Sequence, residues 1–533
     1  MNNADLIVAT LKQAGIDFGF GIPSGNVLPF MEAMRTGGIQ FVLTAHEGSA
    51  AFAADVMGRM TARPGLCIAT GGPGATNLTT GVGSAYLDRS PLIAITCNVN
   101  TDQFGRRVQM YIDHHALFAP ITKVSIGLRP GRIAEQIQMA LQIALSDPIG
   151  PVHLDLPEDV ALAPTSETVP NILDPKETPP AAATKMEKAV SMLAAALRPV
   201  AVIGLSTGRL KNPEILLRFV EGWQIPFATT TMAKGMIDEA HPLSLGCIER
   251  GRRQIQRSFL RRSDLVVGLG YDTVEVGYEA WIGAVPLLHV DIEDADVDET
   301  VQLRHQVIGD LESTLENLAA ASNTRNQWTA DELVAHRREF QQALRPVLDT
   351  FTPHQAIDVV REVLPHDGIL AFDVGAHTHQ IASQWTVHVH HTFLITNGWS
   401  SMGFGLPAAI AAKLARPEAH VVCVLGDGCF QMTCGELATA KRLGLQLPIV
   451  VLDDRWLGLI RVKQRQRQYP DFGTELQTED YDVPPAHYFG VPAFGVRTSN
   501  ELRIALVKAF DAPGPTVIEA IVDSDHYQDT VFD

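Results

Sequence analysis

Three α/β domains, each doubly wound about a central parallel sheet, are the fold that this 533-residue sequence predicts. Three features lead there. The chain is too long for one hydrophobic core, since single domains usually hold roughly 100–200 residues. Short apolar runs alternate with helical patterns almost from end to end, the sequence form of parallel α/β units. Two stretches, 161–185 and about 320–349, interrupt the alternation with proline-rich or polar composition, as linkers do. The expected domains are 1–162, 186–322 and 350–525.

In the first domain, strands are expected over 17–22, 40–45, 66–70 and 92–97, with helices over 49–61 and 77–87. The runs LCIAT and LIAIT are apolar at almost every position, which suits strands covered on both faces. The second domain offers strands over 200–204, 264–270 and 286–291. The third opens with a helix over 353–364 and a strand over 369–374. Further strands are expected over 393–396, 421–425, 449–452 and 517–522, and a helix over 435–442. No short-period repeat is visible.

Composition narrows the function classes. Hydrophobic residues make up 46% and charged residues 19%, a globular balance. A net charge of −18 repels a nucleic-acid backbone or an anionic membrane, so a small-molecule partner is expected, with no nucleic acid and no membrane. The arginines near Arg252 and Arg261 read as a solvated helix face. The N-terminus lacks the basic-then-apolar form of an export signal, and no apolar run is long enough for a bilayer. Six scattered cysteines include one close pair, Cys429 and Cys434, whose spacing suits neither a zinc knuckle nor a redox pair. Free thiols point to a reducing cytoplasm.

The strongest chemical signal is Gly426-Asp427-Gly428, directly after the apolar run HVVCVL. Such an aspartate sits at the carboxyl end of a parallel strand, where open α/β sheets place their ligands. Glycines there permit a tight turn and close backbone approach. After a helix and the run PIVVL come Asp453 and Asp454, so two neighbouring strands would end in carboxylates on one rim. Hard oxygen ligands of this kind suit Mg²⁺ or Ca²⁺ together with a phosphate. A GDG triplet by itself reads equally as a turn; the second carboxylate tips the balance.

The segment GDGCFQMTCGELATAKRLGLQLPIVVLDD resembles the cofactor motif of the thiamine diphosphate enzyme family, which includes acetolactate synthase, pyruvate oxidase, benzoylformate decarboxylase and pyruvate decarboxylase. That motif opens with GDG and closes about thirty residues later on a pair usually written Asn-Asn. The resemblance implies that Asp427 and Asp454 hold Mg²⁺, with the backbone carbonyl of Trp456 as a third ligand. It also implies diphosphate contacts from Gly428 and Cys429, with Leu457 beside them. Asp454 stands where the family usually has asparagine, adding a negative charge beside an anionic cofactor.

A second match is FVLTAHEGSAAFAADVMGRMTA. By itself Glu47 is a helix-opening glutamate, favoured by the helix dipole. Its surroundings, Ala45, Ala50, Ala51, Phe52 and Ala54, offer little polar solvation and could keep the carboxyl protonated. The family places its catalytic glutamate in the context HE-x-x-A-x-x-x-A. The resemblance therefore implies that Glu47 contacts the aminopyrimidine ring nitrogen of thiamine diphosphate. Its proton would favour the imino tautomer, whose exocyclic nitrogen removes the thiazolium C2 proton.

Further segments follow the family pattern. In NGWSSMGFGLPAAIAAKLA, Met402 takes the place of the apolar wedge that bends the cofactor, and Ser400 that of a backbone acceptor for the exocyclic amine. Asp373-Val374-Gly375-Ala376-His377 resembles the diphosphate-side loop, so Ala376 and His377 are further contacts; His379 reads equally as a contact or a surface histidine. Around the loop 21–26, Pro23, Gly25 and Asn26 resemble the turn beside the glutamate. In VQMYIDHHALFAPITK, Gln109, His114 and His115 are candidates for substrate contact or proton relay, or else a polar turn. Trp399, Trp456, Leu457, Ile460 and the segment HYQDTVF could shape a substrate pocket or be ordinary core.

The middle portion, SDLVVGLGYDTVEVGYEAW through LLHVDIEDADVD, is most similar to acetolactate synthases, yet the glycine-rich pattern of FAD-carrying members is not seen before it. No FAD is therefore expected. The literal match Gly403-x-Gly405-x-x-Ala408 to a dinucleotide fingerprint lacks its acidic partner.

The resemblance implies a thiamine diphosphate- and Mg²⁺-dependent enzyme that decarboxylates a 2-oxo acid and joins the product to a second carbonyl. The alternatives are a simple 2-oxo acid decarboxylase, a flavin-dependent oxidase, a non-catalytic cofactor-binding homologue and a nicotinamide dehydrogenase. Because Glu47 and the diphosphate motif lie in different domains, and the family bridges them between subunits, a homodimer at least and a homotetramer are expected.

Overall fold

The computed structural model describes residues 1–323, 326–477, 483–523 and 525–531. Three sheets are present, each in its own third of the chain. The first holds β1 (Phe18–Gly21), β2 (Gln40–Leu43), β3 (Gly65–Thr70), β4 (Leu92–Asn98), β5 (Val124–Gly127) and β6 (Pro151–Pro157), in the order β2-β1-β3-β4-β6-β5. The second holds β7 (Pro199–Ile203), β8 (Phe227–Thr229), β9 (Ser244–Cys247), β10 (Leu265–Leu269), β11 (Leu287–Asp291) and β12 (Leu303–Ile308), ordered β12-β11-β10-β7-β8-β9.

The third sheet holds β13 (Ile369–Phe372), β14 (Phe393–Leu394), β15 (Val421–Gly426), β16 (Pro448–Asp453), β17 (His487–Tyr488), β18 (Val491–Val496) and β19 (Thr516–Ile521). Its order is β14-β13-β15-β16-β19-β18-β17. The strands pair in parallel throughout, apart from β17 against β18. The expected architecture of three doubly wound domains is the one observed. Strands β3, β4, β7, β15 and β16 are buried at every position, because helices cover both faces of their sheets.

Several elements differ from expectation. Strands β5, β6, β8, β9, β12, β17 and β18 carried too few apolar residues, or too short a run, to stand out. The strand expected over 393–396 shrinks to the two residues of β14. The helix expected from 77 begins at Pro73, a residue whose fixed φ and missing N–H suit a first turn. Within 320–349, helix Ala330–Ala343 packs Leu333, His336 and Phe340 inward, so much of that connection belongs to the middle domain's wall. Arg252 is half-buried and bonds the carbonyl of Ala343, which corrects the reading of that arginine as solvated.

The first and third domains share one core. Helix Glu47–Thr61 lays its alanine-rich face on helix Gly405–Ala415, with Phe52 edge-on to Phe404 at 5.6 Å. Small side chains let the two backbones come close. Below them Arg59 pairs with Asp55 at 2.7 Å and Asp88 at 3.0 Å, and donates to the carbonyl of Ile395. Asp88 in turn accepts the backbone N–H of Gly398 at 2.7 Å. These bonds fix the segment that leads into Ser400 and Met402.

Candidate functional site

Strands β15 and β16 are neighbours in register, Gly426 opposite Leu452, so both end on the same rim. The chain turns into helix Asp427–Thr433 after the first and into a loop after the second. Asp427, 5% exposed, and the half-buried Asp454 therefore meet at that rim. Burial, then repulsion from Asp454 and Asp453, pushes the Asp427 carboxyl well above the usual carboxylate range. Burial raises Asp454 as well. Carboxyls gathered in this way present a cluster of hard oxygens that a divalent cation would stabilise.

Around them lies a cavity of about 220 Å³. Its walls include Ala376, His377, Ser400, Met402, Gly428, Cys429, Trp456 and Leu457 beside the two aspartates. Every residue of the third domain singled out as a cofactor contact, His379 apart, thus lines one cavity. Gly428 is crowded by Leu457, Leu476 and Met402, each 3.0–3.2 Å from where an added Cβ would stand. His377 is buried with no partner on Nε2, and burial lowers its pKa to about 4, which keeps the ring neutral. The Cys429 thiol donates to the carbonyl of Val374 at 3.1 Å, and burial holds its pKa well above the usual thiol range. His379 faces elsewhere, paired with Glu249 of the middle domain at 2.7 Å.

The donor set fits a metal-bound diphosphate: two carboxylates, an unpaired imidazole nitrogen and the start of two helices. Among the described residues no group of three or more His, Cys, Asp and Glu side chains is arranged to hold a metal. Any cation here would take its remaining ligands from main chain and phosphate. The cavity is smaller than the roughly 300–1,000 Å³ that encloses a whole ligand, so it suits one end of a cofactor.

The first domain supplies the other candidates, and none of them lines this cavity. Glu47 is the first residue of its helix, 8% exposed, and accepts a hydrogen bond from Asn77 Nδ2 at 3.0 Å. Gly74, in the helix that carries Asn77, presents its Cα hydrogen side to Glu47, where a Cβ would lie 3.4 Å from Oε1. Sequence reasoning missed Asn77, whose only signal was its place near the start of a helix. Pro23 and Gly25 are exposed at the same rim, and Asn26 is tied to the carbonyl of Cys97 at 2.6 Å and to Thr70 at 2.7 Å.

The histidine pair divides. His114 is buried, with Nδ1 at 3.1 Å from Asp155 and 2.9 Å from Thr96, while Nε2 accepts the N–H of Gly72 at 3.3 Å. Both ring nitrogens are engaged inside the domain. His115 is exposed and bonds Ser125 at 2.7 Å; Gln109 lies exposed in the preceding loop. Among the pocket candidates Trp456, Leu457 and Ile460 line the cavity, Tyr527 of the C-terminal segment joins them, and Trp399 is exposed over Gly83. Phe532 lies outside the described residues.

The middle sheet has its own switch point, between β7 and β10. There Glu275 accepts the N–H of Leu205 at 3.2 Å and of Met232 at 2.9 Å, together with Asn397 Nδ2 at 3.2 Å. A Cβ on Gly204 would stand 2.5 Å from the Cα of Tyr271, so the two loops touch backbone to backbone. The Glu275 carboxyl, whose pKa burial raises to about 8, fills the anion cradle that an open sheet offers at this place.

Three family models match in chain order. The N-terminal thiamine pyrophosphate (diphosphate) binding domain covers residues 1–117, the central domain 186–318 and the C-terminal thiamine pyrophosphate binding domain 373–520. The chain belongs to the thiamine pyrophosphate enzyme family. It is a thiamine diphosphate-dependent enzyme. This family member is 32% identical to the acetolactate synthase isozyme 1 large subunit of Escherichia coli, over 98% of this chain and 94% of that protein. It is 31% identical to a probable acetolactate synthase large subunit of Methanocaldococcus jannaschii, over 98% and 92%. It is 28% identical to the acetolactate synthase of Bacillus subtilis, over 99% and 94%. No helix among the described residues of this enzyme is long and apolar enough to cross a membrane.

Proposed function

We propose that this enzyme, with Mg²⁺ and thiamine diphosphate, decarboxylates a 2-oxo acid and joins the remaining fragment to a second carbonyl compound. The observation that carries the reading is the cavity that Asp427, Asp454 and His377 line together. Acetolactate synthase names among the relatives support the ligating outcome.

When bound, the cofactor supplies a thiazolium ring that accepts the electron pair left by decarboxylation. The chain's own residues hold and aim it. Asp427, Asp454 and the carbonyl of Trp456 would hold Mg²⁺; Ala376, His377, Gly428, Cys429 and Leu457 would surround the diphosphate. Met402 and the carbonyl of Ser400 would meet the ring end. Glu47 would hold a proton at the pyrimidine, and Asn77 fixes the carboxyl group that carries it. Pro23, Gly25, Asn26, Gln109 and His115 would meet the substrate from the first domain's rim. His114, bonded through both nitrogens, would steady the turn at Gly72.

Because the residues of the first domain do not line the third domain's cavity, a second copy of the chain would bring its Glu47 to it. A homodimer is the smallest complete unit, and a homotetramer of two such pairs fits the reading. Six free cysteines agree with a cytoplasmic setting. We infer that no FAD is used, since Glu275 takes the N–H donors of the middle sheet's cradle.

The test is incubation of purified protein with thiamine diphosphate, Mg²⁺ and a panel of 2-oxo acids, following CO₂ and organic products together. Condensed 2-hydroxy ketone or acid products are expected. Free aldehyde alone would give the simple decarboxylase instead, and a yellow protein that needs flavin would give the oxidase.

A further inference from the structure

Glu436 opens helix Glu436–Arg442 of the third domain and is 1% exposed. Its carboxylate leaves its own domain. Oε1 accepts the backbone N–H of Ala45 at 2.9 Å and of His46 at 3.2 Å, the two residues ahead of Glu47. Oε2 accepts the hydroxyl of Thr439 at 2.8 Å. Strand β2 has ended at Leu43, so the sheet ladder offers those two N–H groups no partner. Gly435 packs so closely that a Cβ there would stand 3.1 Å from that of Ala45.

The local geometry shows what the bonds fix. His46 is extended, at φ −149° and ψ 145°, and its ring caps the helix by accepting the N–H of Gly48 at 3.0 Å. The chain therefore swings from strand to helix across residues 44–46, and Glu47 leaves on the first helical turn. A buried carboxylate is costly unless charge-assisted hydrogen bonds offset it. Burial raises the pKa of Glu436, and the hydrogen bonds from Thr439, Ser49 and the N–H groups of Ala45 and His46 offset part of that cost while they fix the carboxyl in place.

We propose that Glu436 is a positioning residue for Glu47: it clamps the backbone entry to the helix and so sets where the Glu47 carboxyl stands. The proposal rests on the reading of Glu47 as the acid. It makes the helix after the Asp427 motif responsible for aiming the acid that its own chain delivers to the partner's cofactor.

Full-length variants with thiamine diphosphate and Mg²⁺ test it. Glu436→Gln keeps an acceptor oxygen for both N–H groups. Glu436→Ala removes it, and Glu436→Asp keeps the charge but withdraws the oxygen. Arg442→Met is the control, since Arg442 Nη2 bonds the carbonyl of Leu43 at 2.6 Å and joins the same two domains without touching residues 45–47. Hydrogen exchange is read on the peptide spanning 41–52, beside kcat and the cofactor Kd.

In the Ala and Asp variants exchange at residues 45–46 is expected to rise about 10-fold or more. Their kcat should fall about 10–100-fold while cofactor Kd stays within about two-fold. The Gln variant should match the wild type in exchange, kcat and pH profile, and Arg442→Met should leave exchange at 45–46 unchanged. Equal loosening by Arg442→Met, unchanged exchange in both the Ala and Asp variants, or a Gln variant with a shifted pH profile would each overturn the proposal. Should exchange respond as expected while no variant and no wild type turns over a 2-oxo acid, the clamp stands and the chemistry assigned to Glu47 fails.

Discussion

The carboxylate of Asp427 accepts the backbone N–H of Arg455 at 2.8 Å, across the gap between two parallel strands. Arg455 sits in the left-handed region, φ +67°, which few residues other than glycine adopt without support. The bond supplies that support, and the next residue, Trp456, then turns its N–H onto Asp454 at 2.9 Å. Asp427 thus accepts backbone N–H groups on both oxygens, Oδ1 from Gly428 at 2.8 Å and Oδ2 from Arg455, while Asp454 holds Trp456 on Oδ1; a cation would be met by the remaining lone pairs of these oxygens.

Asp427→Ala should abolish Mg²⁺-dependent retention of thiamine diphosphate, because the cation ligand and the turn that presents Trp456 are lost together. Isothermal titration with and without Mg²⁺ measures it. Asp454→Asn should still bind, and should raise the thermal midpoint of the cofactor-free protein by removing one of the crowded buried carboxylates. A lowered midpoint would contradict the repulsion described at this rim.

Glu47→Gln should slow turnover by about 10²–10⁴, the usual range for a lost acid–base group, and leave cofactor affinity nearly unchanged. Steady-state rates beside a cofactor titration separate the two effects. Wild-type turnover in that variant would remove Glu47 from the chemistry.

Arg59→Met should destabilise the protein by about 3–5 kcal/mol, since Asp55 and Asp88 would be left buried without their cation. Guanidinium unfolding reads the loss. The exposed pair Arg35–Glu32 is the comparison, and Arg35→Met should leave the transition where it was. If the two variants behaved alike, the buried cluster would add nothing to the shared core that joins the first domain to the third.

His153 gives a pH dependence. Burial between Phe118, Thr96 and Ser125 lowers its pKa from 6.5 to about 3. The folded state thus holds the ring neutral while the unfolded chain protonates it. The stability this contributes is complete above pH 6.5 and is lost as pH falls from there towards 3, by roughly 1.4 kcal/mol per pH unit for one proton. His153→Gln should show a shallower fall between pH 6.5 and 4 in denaturant unfolding. An unaltered slope would mean that other groups set the acid limit.

Much of the third domain's site was legible before any coordinates because its residues are local in sequence and fall at strand ends. Asp427, Gly428, Asp454, Trp456 and Leu457 occupy two turns of one sheet, and strand–turn–helix periodicity places them on one rim. Less was legible where the signal is a long-range bond. Asn77 beside Glu47, Asp155 beside His114, and Glu436 beneath Ala45 are ordinary polar residues until the domains pack. Nothing in the spacing of His114 and His115 told that one would be buried with both nitrogens bonded and the other left exposed.

The sequence by itself determined the three parallel sheets, the family and the carboxylates at the ends of β15 and β16, since apolar period and turn chemistry act over a few residues. Only the tertiary structure decided which carboxylates serve the fold. Glu275 fills the middle sheet's cradle, Asp88 fastens the first domain to the third, and Glu436 anchors the chain ahead of Glu47. Those roles depend on donors 43 to 122 residues away for Glu275, 310 for Asp88 and 391 for Glu436, brought close by the burial of apolar faces, and no local pattern encodes that meeting.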